Sequence, residues 1–307
     1  MKRIIVFGAG DVGKRVLQYE AKTDVDILFV CDNSKVKWGE HIGKYEIVSP
    51  QRIIDTVFDY IIICLIDGKP LNEVYDQLLN MGIADDKIKF SFSPYALGIC
   101  QSPLEEFFVI PSKKVKPFKK GPAEIYSDYE GETARSHDRR EREGFFEKYC
   151  VGEGLDIGYG ADLIVPGCSG WDLQNGDAQY LEGIEDESFD FVYSSHCLEH
   201  VWDVRTALIN WFRVLKQGGY LIIAIPHRDL YEKKKRLPSR WNGDHKHMFL
   251  IGKSEGPDTL DIVEEIRNSI INYDIKYVKT CDEGYISESD MTHSRGEYQI
   301  EVVIQKK

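Results

Sequence analysis

The chain has 307 residues, about twice the usual length of one domain, so two domains are expected. Hydrophobic residues make up 42% and charged residues 29%, a globular composition that excludes a largely disordered protein. The net charge of −12 is uneven, residues 1–120 summing to +1 and the rest to −13, and an acidic second half repels phosphate backbones and anionic membrane surfaces. Nucleic acid is therefore not an expected partner. The longest apolar run, Tyr60 to Ile66, is too short to span a bilayer, and nothing after Met1-Lys2-Arg3 reads as a signal peptide. Cysteines 31, 64, 100, 150, 168, 197 and 281 are odd in number and form no CxxC pair, which argues against a disulfide framework or a zinc site and for a reducing cytoplasm.

In chain order, Arg3 to Phe7 reads as a strand, followed by Gly8-Ala9-Gly10-Asp11-Val12-Gly13 and a helix through about Tyr19. Asp26 to Cys31 is a second strand, ending at Asp32, and Tyr60 to Leu65 a third, between helical segments near Pro50–Val57 and at Leu71–Met81. Buried apolar runs alternating with helices predict a parallel, doubly wound α/β sheet over 1–95. Five prolines between 94 and 122 break the pattern, so 96–122 is expected to be a linker, leaving 123–307 as a second α/β domain. There, a charged helix over Glu132–Tyr149 precedes strands at Gly154–Ile157, Ser169–Trp171, Phe189–Ser194 and Tyr220–Ile225. Val204–Leu215 and about Thr259–Ile271 are predicted helices, and Ile275–Thr280 with Tyr298–Gln305 a C-terminal antiparallel strand pair.

Gly8-x-Gly10-x-x-Gly13 follows a strand, opens a helix and has Asp32 about twenty residues on, the arrangement in which glycines approach a pyrophosphate and an acid takes ribose hydroxyls. The same glycines equally serve strand–helix packing. Phe29-Val30-Cys31-Asp32-Asn33, Trp38-Gly39 and Glu46-Ile47-Val48-Ser49-Pro50 resemble the small Rossmann domains that accompany sugar-modifying enzymes. That resemblance implies a nucleotide or nucleotide-sugar at Gly8, Gly10, Gly13 and Asp32, or a vestigial site. An NAD-dependent oxidoreductase is the rival enzyme reading, weakened because 1–120 contains no YxxxK pair. Tyr231 and Lys235 have that spacing only in the second half, within a lysine run. A nucleotide-sugar-binding sensor is the non-enzymatic alternative.

The second half holds, in order, Leu155-Asp156-Ile157-Gly158-Tyr159-Gly160, Asp172 after a strand, Gly176-Asp177-Ala178, Ser188-Phe189-Asp190 running to Leu198-Glu199-His200, and Leu215-Lys216-Gln217-Gly218-Gly219. This order resembles class I S-adenosylmethionine-dependent methyltransferases, of the type 11-like kind. The resemblance implies that cofactor at Asp156, Gly158, Gly160, Asp172, Asp177, Ala178 and Ser195, with Asp172 on the ribose and Asp177–Ala178 on the adenine. Only 11 residues, Ala161 to Trp171, separate Gly160 from Asp172, too few for a helical crossover, so a loop is expected there. Asp162 stands where a third glycine is usual, in the part that would hold the cofactor carboxylate.

Pro226-His227-Arg228-Asp229, Arg240-Trp241-Asn242 and Asp244-His245-Lys246-His247 follow the last strand of the cofactor unit, where loops line the ligand crevice. This stretch resembles methyltransferases of bacterial surface-polysaccharide pathways, implying O-methylation of a sugar or sugar-linked small-molecule acceptor. A hydroxyl acceptor needs a base near neutral pH. His196 and His245 are the candidates, with Arg240, Trp241 and Asp244 contacting the acceptor. His227, His245 and His247 with Asp244 match no strong metal-ligand spacing, so no metal is expected.

Overall fold

A computed structural model describes residues 2–17, 25–65, 68–90, 118, 120–121, 131–160, 162–256 and 258–307. The chain divides into two units, Met1–Phe108 with Pro238–His245, and Val109–Leu237 with Lys246–Lys307. Apart from residues 118, 120 and 121, the linker expected over 96–122 lies outside the described residues.

The first unit is built on a six-stranded sheet: β1 (Lys2–Phe7), β2 (Val25–Cys31), β3 (His41–Ile42), β4 (Tyr45–Val48), β5 (Tyr60–Ile63) and β6 (Ile88–Phe90), in the order β3-β4-β2-β1-β5-β6. All its pairings are parallel except β3 with β4. Successive residues of β1 and β5 are buried, feeding separate apolar clusters around Val6 and Phe7, which is why these strands read as continuous apolar runs. Helix α1 (Asp11–Leu17) follows β1, and α2 (Gly68–Asn80) buries Leu71, Val74 and Leu78. The helix expected near Pro50–Val57 is a single 3-10 turn, Pro50–Ile53, because Ile54 and Val57 are exposed and supply no second buried turn.

In the second unit the predicted long helix is three short ones, α3 (Glu132–Arg135), α4 (His137–Arg142) and α5 (Phe145–Tyr149), interrupted at Ser136 and at the left-handed Gly144. The sheet comprises β7 (Gly154–Ile157), β8 (Ser169–Trp171), β9 (Phe189–Ser195), β10 (Leu215–Pro226), β13 (Tyr273–Cys281) and β14 (Gln299–Lys306), while β11 (Met248–Leu250) and β12 (Thr259–Asp261) pair separately. Its order is β13-β14-β10-β9-β7-β8. The expected C-terminal antiparallel pair is present, but the last strand is inserted: β14 runs antiparallel to both β10 and β13, so β13 is parallel to the rest. No helix lies between β7 and β8 among the described residues, as the short spacing requires.

Helix α6 (Val204–Arg213) buries Val204, Ala207, Leu208, Trp211 and Phe212, the i, i+3, i+4, i+7, i+8 stripe of a helix lying on a sheet. The Asp203 carboxylate caps it, accepting from the Arg205 and Thr206 amides. Two further helices are α7 (Arg228–Tyr231) and α8 (Ile262–Ser269), the latter starting after β12 rather than at Thr259 because Asp261 caps it by accepting from the Val263 amide. Among the described residues no helix is long and apolar enough to cross a membrane.

Candidate active site

Strand β7 delivers Gly158 at φ 73°, a left-handed turn that favours glycine. A Cβ there would lie 2.8 Å from Cys197 Cβ, so the close approach of the segment after β9 also demands glycine. The Gly158 amide donates to the Trp171 carbonyl at 2.8 Å, and the Gly160 amide to Asp172 Oδ2 at 2.9 Å. Asp172 Oδ1 accepts from the Leu173 amide at 2.7 Å. A carboxylate offers about four lone-pair sites, so Asp172 is oriented by the loop and retains capacity for ribose hydroxyls. At Gly160 a Cβ would meet nothing nearer than the Gly158 carbonyl at 4.0 Å, leaving an open cradle.

Beneath the loop, Asp156 is buried, and its Oδ2 accepts from the Ile164 amide at 2.7 Å. Its Oδ1 has no hydrogen-bond partner among the described residues. Burial pushes this carboxyl well above its ordinary value, and the neighbouring Asp162 and Asp172 carboxylates add to the effect, favouring the neutral acid. Asp162, where the third glycine is missing, serves the structure instead, because its Oδ2 accepts from the Ala134 amide at 3.1 Å and so pins α3 to the loop.

The Asp177–Ala178 turn is bolted to α6. Asp177 Oδ1 accepts from the Gln179 amide at 2.8 Å, the Trp211 indole donates to the Ala178 carbonyl at 2.8 Å, and Asn210 Nδ2 donates to the Gln179 carbonyl at 3.1 Å. Neither Trp211 nor Asn210 is legible from sequence as a support of the site; Trp211 has the signal of an apolar-face residue, with nothing to mark its polar edge. An open glycine cradle, an anchored acid at Asp172 and an orphaned buried oxygen on Asp156 fit a ligand carrying a ribose and an amino-acid end.

His196 follows β9 at φ 47°, an uncommon conformation for a residue with a side chain. Its Nε2 lies 4.0 Å from Glu132 Oε2 and its Nδ1 3.8 Å from Glu199 Oε1. Gln299 Oε1 is 3.3 Å from Nε2. The Tyr298 hydroxyl donates to Glu132 at 2.8 and 2.9 Å, and the rings of Tyr298 and Tyr231 stand edge-on to the imidazole at 6.0 and 6.2 Å. Burial alone would raise the Glu132 carboxyl, but His196, Arg135 and Tyr298 hold it below its ordinary value. Ser195 is buried at the end of β9, and His200 Nε2 lies 3.7 Å from Glu199 Oε1. Glu132 and Gln299 carry no local signal of a role here. One lies in a charged, helix-forming stretch and the other in an ordinary strand.

Arg240, Trp241, Asp244 and His245 lie in the Pro238–His245 segment, which groups with the first unit. Its turn is organised by Ser239, whose Oγ accepts from the Trp241 and Asn242 amides and whose carbonyl accepts from Asn72 Nδ2 at 2.7 Å. The Asp244 amide donates to Asn242 Oδ1 at 3.0 Å, and the buried His245 donates its amide to the Asn242 carbonyl at 3.2 Å. His227 is used in capping α7, its Nδ1 accepting from the Asp229 amide, and His247 Nε2 sits 3.2 Å from the Trp202 carbonyl. Burial lowers the basicity of both.

In the first unit, Asp32 knits the glycine loop together. Its Oδ2 accepts from the Ala9 amide and from Lys37 Nζ, both at 2.9 Å, and its Oδ1 from the Ser34 amide at 2.8 Å. Burial opposes ionisation, but Lys37 and these amides hold the carboxyl below its ordinary value. At Gly13 a Cβ would run into the Gly8 carbonyl oxygen, so strand–helix packing alone requires that glycine, whereas Gly10 faces open space.

Residues 1–89 match the family model described as C2185-like, N-terminal, and residues 155–223 match the model of a methyltransferase domain. No curated protein sequence matches the chain. Among solved structures, an S-adenosylmethionine-dependent methyltransferase from Thermotoga maritima is 18% identical, with 56% of this chain and 99% of that one covered at a TM-score of 0.33. Another from Mesorhizobium loti is 15% identical, with 50% and 90% covered and a TM-score of 0.32. RSP, a Rex-family repressor in complex with beta-NADH, is 18% identical over 32% of this chain and 58% of its own, with a TM-score of 0.26. The match to a methyltransferase domain lies within the second unit.

Proposed function

We propose that this methyltransferase domain modifies an oxygen, a hydroxyl of a sugar or sugar-linked group in surface-glycan biosynthesis, with a histidine as base. The observation that carries the reading is His196 held between the carboxylates of Glu132 and Glu199 at the carboxyl end of β9. S-adenosylmethionine, when bound, would supply a methyl group on a sulfonium that leaves as a neutral thioether once an oxygen takes the methyl. Gly158, Gly160, Asp172, Asp177, Ala178, Asp156 and Ser195 would hold it. A hydroxyl proton would pass to the His196 imidazole, which lies beside the Glu132 and Glu199 side chains. The glycan class of the acceptor is supported by the resemblance of residues 226–249 to surface-polysaccharide methyltransferases. On the same basis, Arg240, Trp241 and Asp244 would contact the acceptor, and His245 is the second base candidate. Gly8, Gly10, Gly13 and Asp32 would hold a nucleotide or nucleotide-sugar.

The test is to incubate the full chain with methyl-labelled cofactor and a panel of nucleotide-sugars and oligosaccharides, then locate the label by mass spectrometry. A labelled ether on a sugar carbon supports the reading; label confined to nitrogen, or no sugar among the products, overturns it. Independently, Asp172→Ala should weaken cofactor binding by about 1.5–3 kcal/mol, the scale of hydrogen bonds to a charged group. That is about 10- to 150-fold in Kd by calorimetry. Unchanged affinity would remove Asp172 from the site.

A further inference from the structure

We infer that Gln299 is a positioning residue that holds His196 in the tautomer with its hydrogen on Nε2, leaving Nδ1 as the atom that takes the acceptor's proton. The second half of this statement rests on His196 being the base; the first does not.

The assignment follows from counting hydrogens along one chain of buried groups. Arg139 grips Glu297 with two bonds, Nε to Oε1 at 2.8 Å and Nη2 to Oε2 at 2.9 Å, both side chains being almost fully enclosed. A carboxylate gripped in this way only accepts. Ser136 Oγ lies 2.7 Å from Glu297 Oε2, so its single hydroxyl hydrogen is committed to that carboxylate. The same Oγ lies 2.6 Å from Gln299 Nε2 and must accept there. Turning the Gln299 amide over would set its carbonyl against a hydroxyl whose hydrogen is already spent. The carbonyl oxygen Oε1 therefore faces His196 Nε2 at 3.3 Å, and two acceptors cannot meet without a hydrogen between them.

The topology supplies the geometry. Insertion of β14 between β10 and β13 sets Gln299 opposite Pro226 and Cys281, while Ser136 sits at the break between α3 and α4. With hydrogen on Nε2, the lone pair of neutral His196 is on Nδ1. A proton leaving the acceptor hydroxyl goes to that lone pair, giving an imidazolium with Glu199 Oε1 3.8 Å from Nδ1 and Glu132 on the other side. The hydroxyl oxygen keeps the electron pair that forms its new bond.

The test is a long-range proton–nitrogen spectrum of the full-length, nitrogen-15-labelled chain without cofactor, with His196 assigned by its loss in His196→Asn. The expected signature is a protonated Nε2 and an unprotonated Nδ1. Gln299→Met should erase that preference and lower kcat by about tenfold to a hundredfold with little change in KM, a share of what a general base contributes. Gln299→Glu, which keeps an acceptor toward Nε2, should retain the signature and recover part of kcat. A parent spectrum with hydrogen on Nδ1 overturns the assignment, and so does a Gln299→Met protein with parental signature and kcat. If Gln299→Met does not fold, the parent spectrum decides. Should the Nε2 signature be present while His196→Asn keeps parental kcat, the base reading fails and the tautomer assignment stands.

Discussion

Replacing His196 with asparagine lowers turnover by about 10²–10⁴-fold while cofactor affinity stays within twofold or so, the range expected for loss of a general base. Asparagine is chosen because it tolerates the left-handed backbone that His196 adopts at φ 47°, so that lost activity reports the imidazole rather than a disturbed turn. The groups proposed to face the cofactor, the Gly158–Gly160 loop, Asp172 and the Asp177–Ala178 turn, are anchored by Trp171, Leu173 and Trp211, none of which needs the imidazole. Single-turnover kinetics with calorimetry on the same preparation separates the two quantities. His245→Ala is the companion variant. If both histidine variants methylate the acceptor at the parental rate, histidine is not the base and catalysis rests on positioning.

Breaking the buried ion pair of the second unit is expected to have the largest effect on stability. Arg140 and Glu301 are fully enclosed, with Arg140 Nε donating to Glu301 Oε2 at 2.8 Å and Nη1 to the Tyr193 hydroxyl at 2.8 Å. Arg139 and the Tyr277 hydroxyl donate to the same carboxylate. Glu301→Gln leaves the Arg140 guanidinium buried without its counter-charge and should cost about 3–5 kcal/mol, whereas the apolar double variant Arg140→Met/Glu301→Leu should cost less. Guanidinium denaturation of the two variants checks this; equal losses would mean that the pair contributes through packing alone.

The pH dependence has a defined sign. Burial opposes ionisation of Glu301, but Arg140 and Arg139 outweigh it and hold the carboxyl down at about 2. A glutamate in the unfolded chain titrates near 4.3. A folded value below the unfolded one contributes stability that is fully present above about 4.3 and is lost as pH falls toward about 2. Glu301→Gln should flatten the acid limb of the stability curve in that window.

Local sequence determined the elements that depend on neighbours along the chain. The continuous apolar runs of β1, β5 and β10 announced buried parallel strands, and Val204, Ala207, Leu208, Trp211 and Phe212 announced the buried stripe of α6, because burial follows period. The absent helix between β7 and β8 was equally legible, since 11 residues cannot span a helical crossover. Tertiary structure alone decided what depends on distant pairing. The hydrogen-bonding partner of β14 is chosen by the sheet edge it meets, so its insertion beside β10, and with it the approach of Gln299 to His196, had no local signal. Glu132 reached His196 only because Ser136 and Gly144 break the charged helix and Asp162 pins its first turn to the glycine loop. The grouping of Pro238–His245 with the first unit rests on contacts such as Asn72 to Ser239, 167 residues apart, a separation at which composition and period carry no information.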